Sequence, residues 1–374
     1  MRLLILTVSA GNGHSKAAEA VEDYFKKYYS HVEVQIVDTL KYINPVVDKL
    51  VVGSYLKTLK KTPFIYAKLY KYAETEDAIS TFSGLVNDVL SLKLKGLIDE
   101  FNPDVILCTH PFPLEMLSIL KRKGKTTVPV AAILTDYAPH SFWFYSYIDA
   151  YVIPHEDFVT DLIEKGISKE AIYPLGIPVN QDFLNPIEVD NVYKEFDLDK
   201  SKLTLLLMGG SLGIGSIKDI FENLAFSSLD IQLIACTGSN TKLKNQLDNI
   251  SSRCNKKTVV LGFTNKINEL MSVSDIIISK PGGLTITEAL IKHLPFIIIS
   301  PIPGQEERNA DYLLNSGIAA RIKNSENIVP LLNQLTSSPN RLNQMRQSAA
   351  EKSKPDAAKD ICNLLMRLAE RNNL

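Results

Sequence analysis

The sequence predicts two doubly wound α/β domains in succession, on three observations. The chain has 374 residues, and one domain takes roughly 150. Short apolar runs rich in Val, Ile and Leu alternate with helical stretches, and the alternation occurs twice. Between the two series lies Pro174-Leu175-Gly176-Ile177-Pro178-Val179, followed by a polar, acidic stretch to Lys200. Prolines and a glycine there suit a hinge better than a helix or strand interior.

The strands of the first series are expected at residues 3–8, 32–37, 105–108, 130–134 and 151–153, and those of the second at 203–208, 231–235, 258–261, 276–278 and 296–299. Each is apolar almost throughout, as parallel strands buried on both faces must be. Helical patterns separate them, for example at 15–29, 241–250 and 284–292. A last helix, at about 355–371, has no strand after it and is expected to pack back on the first domain. The expected division is 1–175, 176–353, and a C-terminal helix in 354–374.

Composition narrows the function. The formal net charge is −1, so nucleic acid is not an expected partner. Cys108, Cys236, Cys254 and Cys362 form no CxxC pair, which argues against structural zinc and against a disulfide framework. A reducing, cytosolic compartment fits. The apolar start, residues 1–8, is too short for a signal peptide. No segment has the apolar length of a membrane span, so membrane contact is expected to be peripheral.

Five stretches carry chemistry, each at the carboxyl end of an expected strand, where open α/β sheets place ligands. Gly11-Asn12-Gly13-His14 opens the first helix. His14 is a candidate general base, or else a capping histidine. Thr135-Asp136 with His140 and Trp143 follows the fourth strand; Asp136 and His140 are candidates to support His14 or polarise a hydroxyl, or the stretch is an Asx turn over packed aromatics. Gly209-Gly210-Ser211-Leu212-Gly213 can cradle a pyrophosphate, without the lysine of a P-loop. Lys280-Pro281-Gly282-Gly283-Leu284-Thr285 turns from strand to helix, and Glu288 lies one turn in. Its carboxylate can accept from two ribose hydroxyls, or simply offset the helix dipole. Gln305, Glu306 and Asn309 offer groups suited to sugar hydroxyls, or make a polar helix start. The two domains are expected to face a cleft.

These motifs, with Gly262-Phe263-Thr264 and Pro303-Gly304, resemble the monogalactosyldiacylglycerol synthase and processive diacylglycerol glucosyltransferase group of glycosyltransferase family 28. The likeness covers almost the whole chain. It implies a GT-B fold, inversion at the anomeric carbon, a UDP-sugar co-substrate held mainly by the second domain, and no metal or other cofactor. It implies that the Phe263 backbone meets uracil, with Thr264 beside it, and that Glu288 meets the ribose. Gly210 and Ser211 then meet the diphosphate, and Gln305 and Glu306 the hexose, with Pro281, Gly282, Gly283, Leu284, Thr285 and Asn309 completing the donor site. His14 is the first choice of base, Asp136 the second, and Gly13, His140 and Trp143 line the acceptor side or support it from behind. Plant-type members carry three glycines before the histidine; Asn12 replaces the middle one here, which matches the bacterial glucosyltransferase branch better and leaves glucose or galactose open.

Residues 41–72 hold seven lysines against the single acid Asp48, a local charge of +6 in a nearly neutral chain. Tyr42, Tyr55, Phe64, Tyr66, Tyr70 and Tyr72 are interleaved with them. Such a segment suits an anionic leaflet, with Lys57, Lys60, Lys61, Phe64 and Lys68 as contacts, or is a solvated lysine face. The expected acceptor is diacylglycerol or glycosyl-diacylglycerol, reached from the cytoplasmic side of the membrane. Three rivals stay open: transfer to a polyprenyl-linked envelope precursor, UDP-sugar epimerisation on the same architecture, and a non-enzymatic UDP-sugar sensor.

Overall fold

A computed structural model of the chain describes residues 1–9, 13–43, 84–210, 213 and 215–372. The chain divides into two compact units, Met1–Gln181 together with Lys354–Leu374, and Asp182–Ser353.

The first unit runs β1 (Arg2–Thr7), α1 (Gly13–Tyr28), β2 (Glu33–Asp38), α2 (Thr39–Ile43), α3 (Gly84–Phe101), β3 (Val105–Cys108), α4 (Pro111–Arg122), β4 (Val130–Ile133), β5 (Ala150–Val152), α5 (Val159–Glu164) and β6 (Ile172–Tyr173). The second runs α6 (Val189–Glu195), β7 (Leu203–Met208), α7 (Ile217–Ala225), β8 (Ile231–Cys236), α8 (Thr241–Ser251), β9 (Thr258–Leu261), α9 (Ile267–Ser272), β10 (Ile276–Ser279), α10 (Gly283–Ile291), β11 (Phe296–Ile298), α11 (Gln305–Asn315), β12 (Ala319–Arg321), α12 (Ile328–Thr336) and α13 (Pro339–Lys352). The chain then returns to the first unit as α14 (Ala357–Asn372).

Each unit holds a six-stranded sheet whose pairings are all parallel, in the orders β2-β1-β3-β4-β5-β6 and β12-β11-β10-β7-β8-β9. The apolar runs form these strands because both faces are covered: β3 and β4 are buried at every position. On α7 the residues Ile217, Ile220, Phe221 and Leu224 recur at helical spacing and are fully buried against β7 and β8. Each such side chain contributes about 1.5–3 kcal/mol of burial. On α14 the same spacing puts Ile361, Cys362, Leu365 and Leu368 into one cluster with Ala18, Val21 and Phe25 of α1 and with β1 and β3.

The strand order reverses between β1 and β3 in the first sheet and between β7 and β10 in the second. At such a switch point neighbouring loops leave the sheet in opposite directions and open a crevice beyond the strand ends.

The first unit extends past the expected boundary at 175, to Gln181. Gly176, at φ +96, donates its N–H to the Ile153 carbonyl at 3.0 Å. A Cβ on it would lie 2.5 Å from Cβ of Lys354. The glycine read as a hinge is a close approach that ties 174–179 to the first unit. Two strands were not expected, β6 and β12, of two and three residues.

Candidate functional site

In the first unit the switch point brings histidines together. β1 and β3 pair in register, Leu6 opposite Cys108, and beyond their ends Thr109 donates its hydroxyl to that of Thr7 at 2.9 Å in a buried contact. His14, one residue into α1, has Nδ1 2.7 Å from the Thr109 carbonyl and 2.9 Å from Oγ1 of Thr135. A carbonyl has no proton to give, so Nδ1 carries the proton and donates it. The lone pair of the neutral ring is thereby left on Nε2, the arrangement a general base needs. His14 is intermediate in exposure. Even so, enough protein surrounds its ring that burial pushes its pKa down to about 4, against a smaller upward pull from the Thr109 carbonyl.

His110 packs edge-on against His14, ring centroids 4.6 Å apart. It is the N-cap of α4, its Nδ1 accepting from the Phe112 N–H at 3.1 Å. Burial, then the neighbouring His14 and His140, hold its pKa well below the usual histidine range. The sequence reading missed His110. The signal available was a histidine two residues past a buried strand, followed by a proline at helix position N1.

Asp136 follows Thr135 in the chain and is partly buried. His140 and Trp143 are 6% and 1% exposed, with ring centroids 6.3 Å apart. Trp143 is therefore buried and packs against His140, in keeping with a supporting place on the acceptor side. Gly13 opens α1, and a Cβ there would meet nothing within 4 Å. Gly11 and Asn12 lie outside the described residues, as do Lys57, Lys60, Lys61, Phe64 and Lys68. Lys41, at the edge of that basic stretch, pairs with Asp38 at 3.2 Å.

The second unit gathers the remaining motifs at the carboxyl ends of its strands. After β7, Gly210, Gly213 and Gly215 all have positive φ, +66, +56 and +118. Gly213 donates to the Gly210 carbonyl at 3.1 Å and accepts from the Asn240 side chain at 3.0 Å. Ser211 lies outside the described residues. At the end of β10, Ser279 donates its hydroxyl to the carbonyl of Met208, the last residue of β7, at 3.0 Å, which joins the two strand ends at the switch. Pro281 is buried, Gly282 caps α10 and Gly283 begins it. Leu284, Thr285 and Glu288, all on α10, are partly exposed.

Phe263, in the turn after β9, is 73% exposed. Its ring is more exposed than any other large hydrophobic side chain among the described residues. Thr264 accepts the Lys266 N–H at 3.1 Å and shapes that turn. Gln305 and Glu306 open α11. Glu306 is engaged within the protein: Oε1 meets Nζ of Lys280 at 3.0 Å and Oε2 accepts the Ile302 N–H at 2.7 Å. Asn309 is fully buried and donates to the Pro281 carbonyl at 3.0 Å. It holds the loop after β10 against α11.

Among the described residues no three His, Cys, Asp or Glu side chains are grouped as metal ligands, and no helix is long and apolar enough to cross a membrane.

Comparison with known proteins follows the two units. Residues 14–179 match the family model for monogalactosyldiacylglycerol (MGDG) synthase, and residues 204–361 match that for the glycosyltransferase family 28 C-terminal domain. The processive diacylglycerol beta-glucosyltransferase of Bacillus subtilis strain 168 is 29% identical over 349 residues, 93% of this chain and 90% of that one. The protein of the same name from Bacillus cereus strain AH187 is 28% identical over 366 residues, covering 98% and 93%. Among solved structures, Acinetobacter baumannii MurG superposes with a TM-score of 0.64 at 15% identity, covering 98% of this chain and 99% of that one. A Neisseria meningitidis UDP-GlcNAc 2-epimerase bound to UDP-GlcNAc gives 0.62 at 17%, covering 98% and 100%. Anabaena HepE in complex with UDP gives 0.57 at 14%, covering 98% and 100%. At these identities the solved structures share the fold, two Rossmann-like α/β units of the GT-B class.

Proposed function

Because the chain belongs to the family of MGDG synthases with a glycosyltransferase family 28 C-terminal domain, we propose that it transfers a hexose from a UDP-sugar to diacylglycerol or glycosyl-diacylglycerol. Glucose is the proposed hexose, since the relatives are named glucosyltransferases. What carries the reading is the joint match of both units to one family pair, because the fold alone is shared with epimerases.

In this reading the reaction is one displacement with inversion. The lipid hydroxyl attacks the anomeric carbon, the bond to the diphosphate oxygen breaks, and UDP leaves. His14 Nε2 takes the hydroxyl proton. A base of low pKa suffices, because an alcohol oxygen already bonding to carbon is strongly acidic when it gives up its proton. Asp136 is the alternative base, or the partner that steadies the imidazolium. In the second unit the exposed Phe263 with Thr264 receives uracil, Glu288 the ribose, and Gln305 with Glu306 the hexose. Amides around Gly210 and the start of α10 meet the diphosphate. No metal or other cofactor is required in this scheme. The basic segment at 41–72 docks the protein peripherally on an anionic, cytoplasmic-side membrane surface.

The test is incubation with UDP-glucose or UDP-galactose and diacylglycerol vesicles, with mass analysis of the lipids. Lipid gaining one or more hexose units supports the reading. UDP-sugar that is epimerised or merely bound, with no hexose on lipid from either donor, refutes it.

A further inference from the structure

We propose that Lys280 is the cation that receives the donor's diphosphate, and that Glu306 holds it ready while the site is empty. The inference rests on the reading that the second unit binds a UDP-sugar.

Topology puts Lys280 in place. It follows Ser279, the last residue of β10, whose register partner on β7 is Met208. The loops Gly209-Gly210 and Lys280-Pro281 therefore leave adjacent strands at the point where the strand order reverses. Cε of Lys280 lies 3.9 Å from where a Gly210 side chain would begin. With no side chain at Gly210, the stem of the lysine lies beside a turn of positive-φ glycines, the kind of backbone that offers N–H groups to phosphate.

The pair itself is unusual in its burial. The side chains of Lys280 and Glu306 are only 13% and 15% exposed, and their charged atoms meet at 3.0 Å. A nearly buried ion pair adds little stability over apolar packing, because desolvation cancels the attraction. Its clear effect here is to fix an ammonium at the strand ends. The carboxylate is itself anchored by the Ile302 N–H, and the lysine's loop by Asn309 and Ser279. An ammonium has three donors and Glu306 takes one, so Lys280 can turn toward a diphosphate oxygen. As UDP departs it gains negative charge, and a fixed cation there stabilises the leaving group. The same move frees Oε1 of Glu306 to accept from a hexose hydroxyl, which couples donor binding to sugar recognition.

Calorimetry with UDP and with uridine tests this on the parent chain, Lys280→Gln and Glu306→Gln. Glutamine keeps a hydrogen bond across the pair, and circular dichroism checks the fold. Lys280→Gln is expected to weaken UDP binding by about 10–100-fold, the loss of one charge-assisted hydrogen bond, and to leave uridine binding unchanged. Glu306→Gln is expected to tighten UDP binding by on the order of several-fold, since it removes an internal competitor. UDP affinity unchanged in Lys280→Gln, or UDP and uridine weakening together, overturns the proposal. So does unchanged or weaker UDP binding in Glu306→Gln, which decides the matter if the lysine variant does not fold. A parent chain that binds neither UDP nor uridine sinks the donor-site reading itself, a result distinct from either variant's.

Discussion

Lowering the pH separates a buried base from an ordinary histidine. With its pKa pushed to about 4 by burial, His14 is about 90% neutral at pH 5, whereas an unperturbed histidine at 6.5 is about 3% neutral. If His14 is the base, kcat/KM holds nearly level from pH 8 to pH 5, roughly thirtyfold above what an ordinary histidine would allow at the lower end. The assay is hexosyl-lipid formation across that range, beside an NMR titration of the histidine ring signals. The same shift bears on stability. The folded ring binds a proton less readily than the unfolded one, so the unfolded chain gains protons first as pH falls. The stabilisation is complete above 6.5 and is lost as pH drops toward 4, at most about 3 kcal/mol. His110 acts in the same direction. An acid limb centred near 6.5 that vanishes in His14→Gln would refute the buried-base argument, because it would show the ring titrating as if in water.

Other outcomes follow from the same geometry. His14→Ala should cut turnover by about 10²–10⁴-fold while leaving UDP affinity, read by calorimetry, near the parent value. Glu288→Ala should weaken UDP binding without lowering the melting temperature, because the side chain is partly exposed on α10; equal affinity would remove it from the ribose. Gly213→Ala should cost about 2–5 kcal/mol: its φ of +56 is left-handed, and the new Cβ would fall 2.3 Å from the Thr237 carbonyl oxygen. Thermal unfolding should register that loss as a clear drop. Replacing Lys57, Lys60, Lys61 and Lys68 by Gln should weaken co-sedimentation with anionic vesicles, most at low salt, and spare UDP binding. Identical sedimentation at every salt concentration would move the lipid entrance elsewhere.

The fold was legible where burial leaves no alternative. A strand such as Ile231–Cys236, buried at every position, must be apolar throughout, and its sequence says so. Ala319–Arg321 is a short edge strand of small and charged residues, with too little side chain to announce itself. His14 was legible from its place after β1. His110 and Lys280 were harder, because their importance lies in neighbours 96 and 26 positions away, His14 and Glu306. Only the pairing of strands reveals such neighbours. Burial was not legible at Trp143 and Asn309. Nothing in the residue types says that this aromatic and this amide are buried, or that Asn309 ties down the loop after β10.

The first unit is assembled from both ends of the chain, and this sets an order of events on the ribosome. All of the second unit is synthesised before α14. Until then the faces of Ala18, Val21 and Phe25, which α14 covers in the finished protein, have no cover from it. The second unit is continuous in sequence and is expected to close first, while the first unit waits for residues 354–374. An apolar face held open that long is a target for chaperones and for aggregation. Nascent chains stalled at increasing lengths would reveal the sequence of closure: the second unit should gain protease protection at shorter lengths than the first. Protection of the first unit ahead of α14 would show instead that its sheet closes without the last helix.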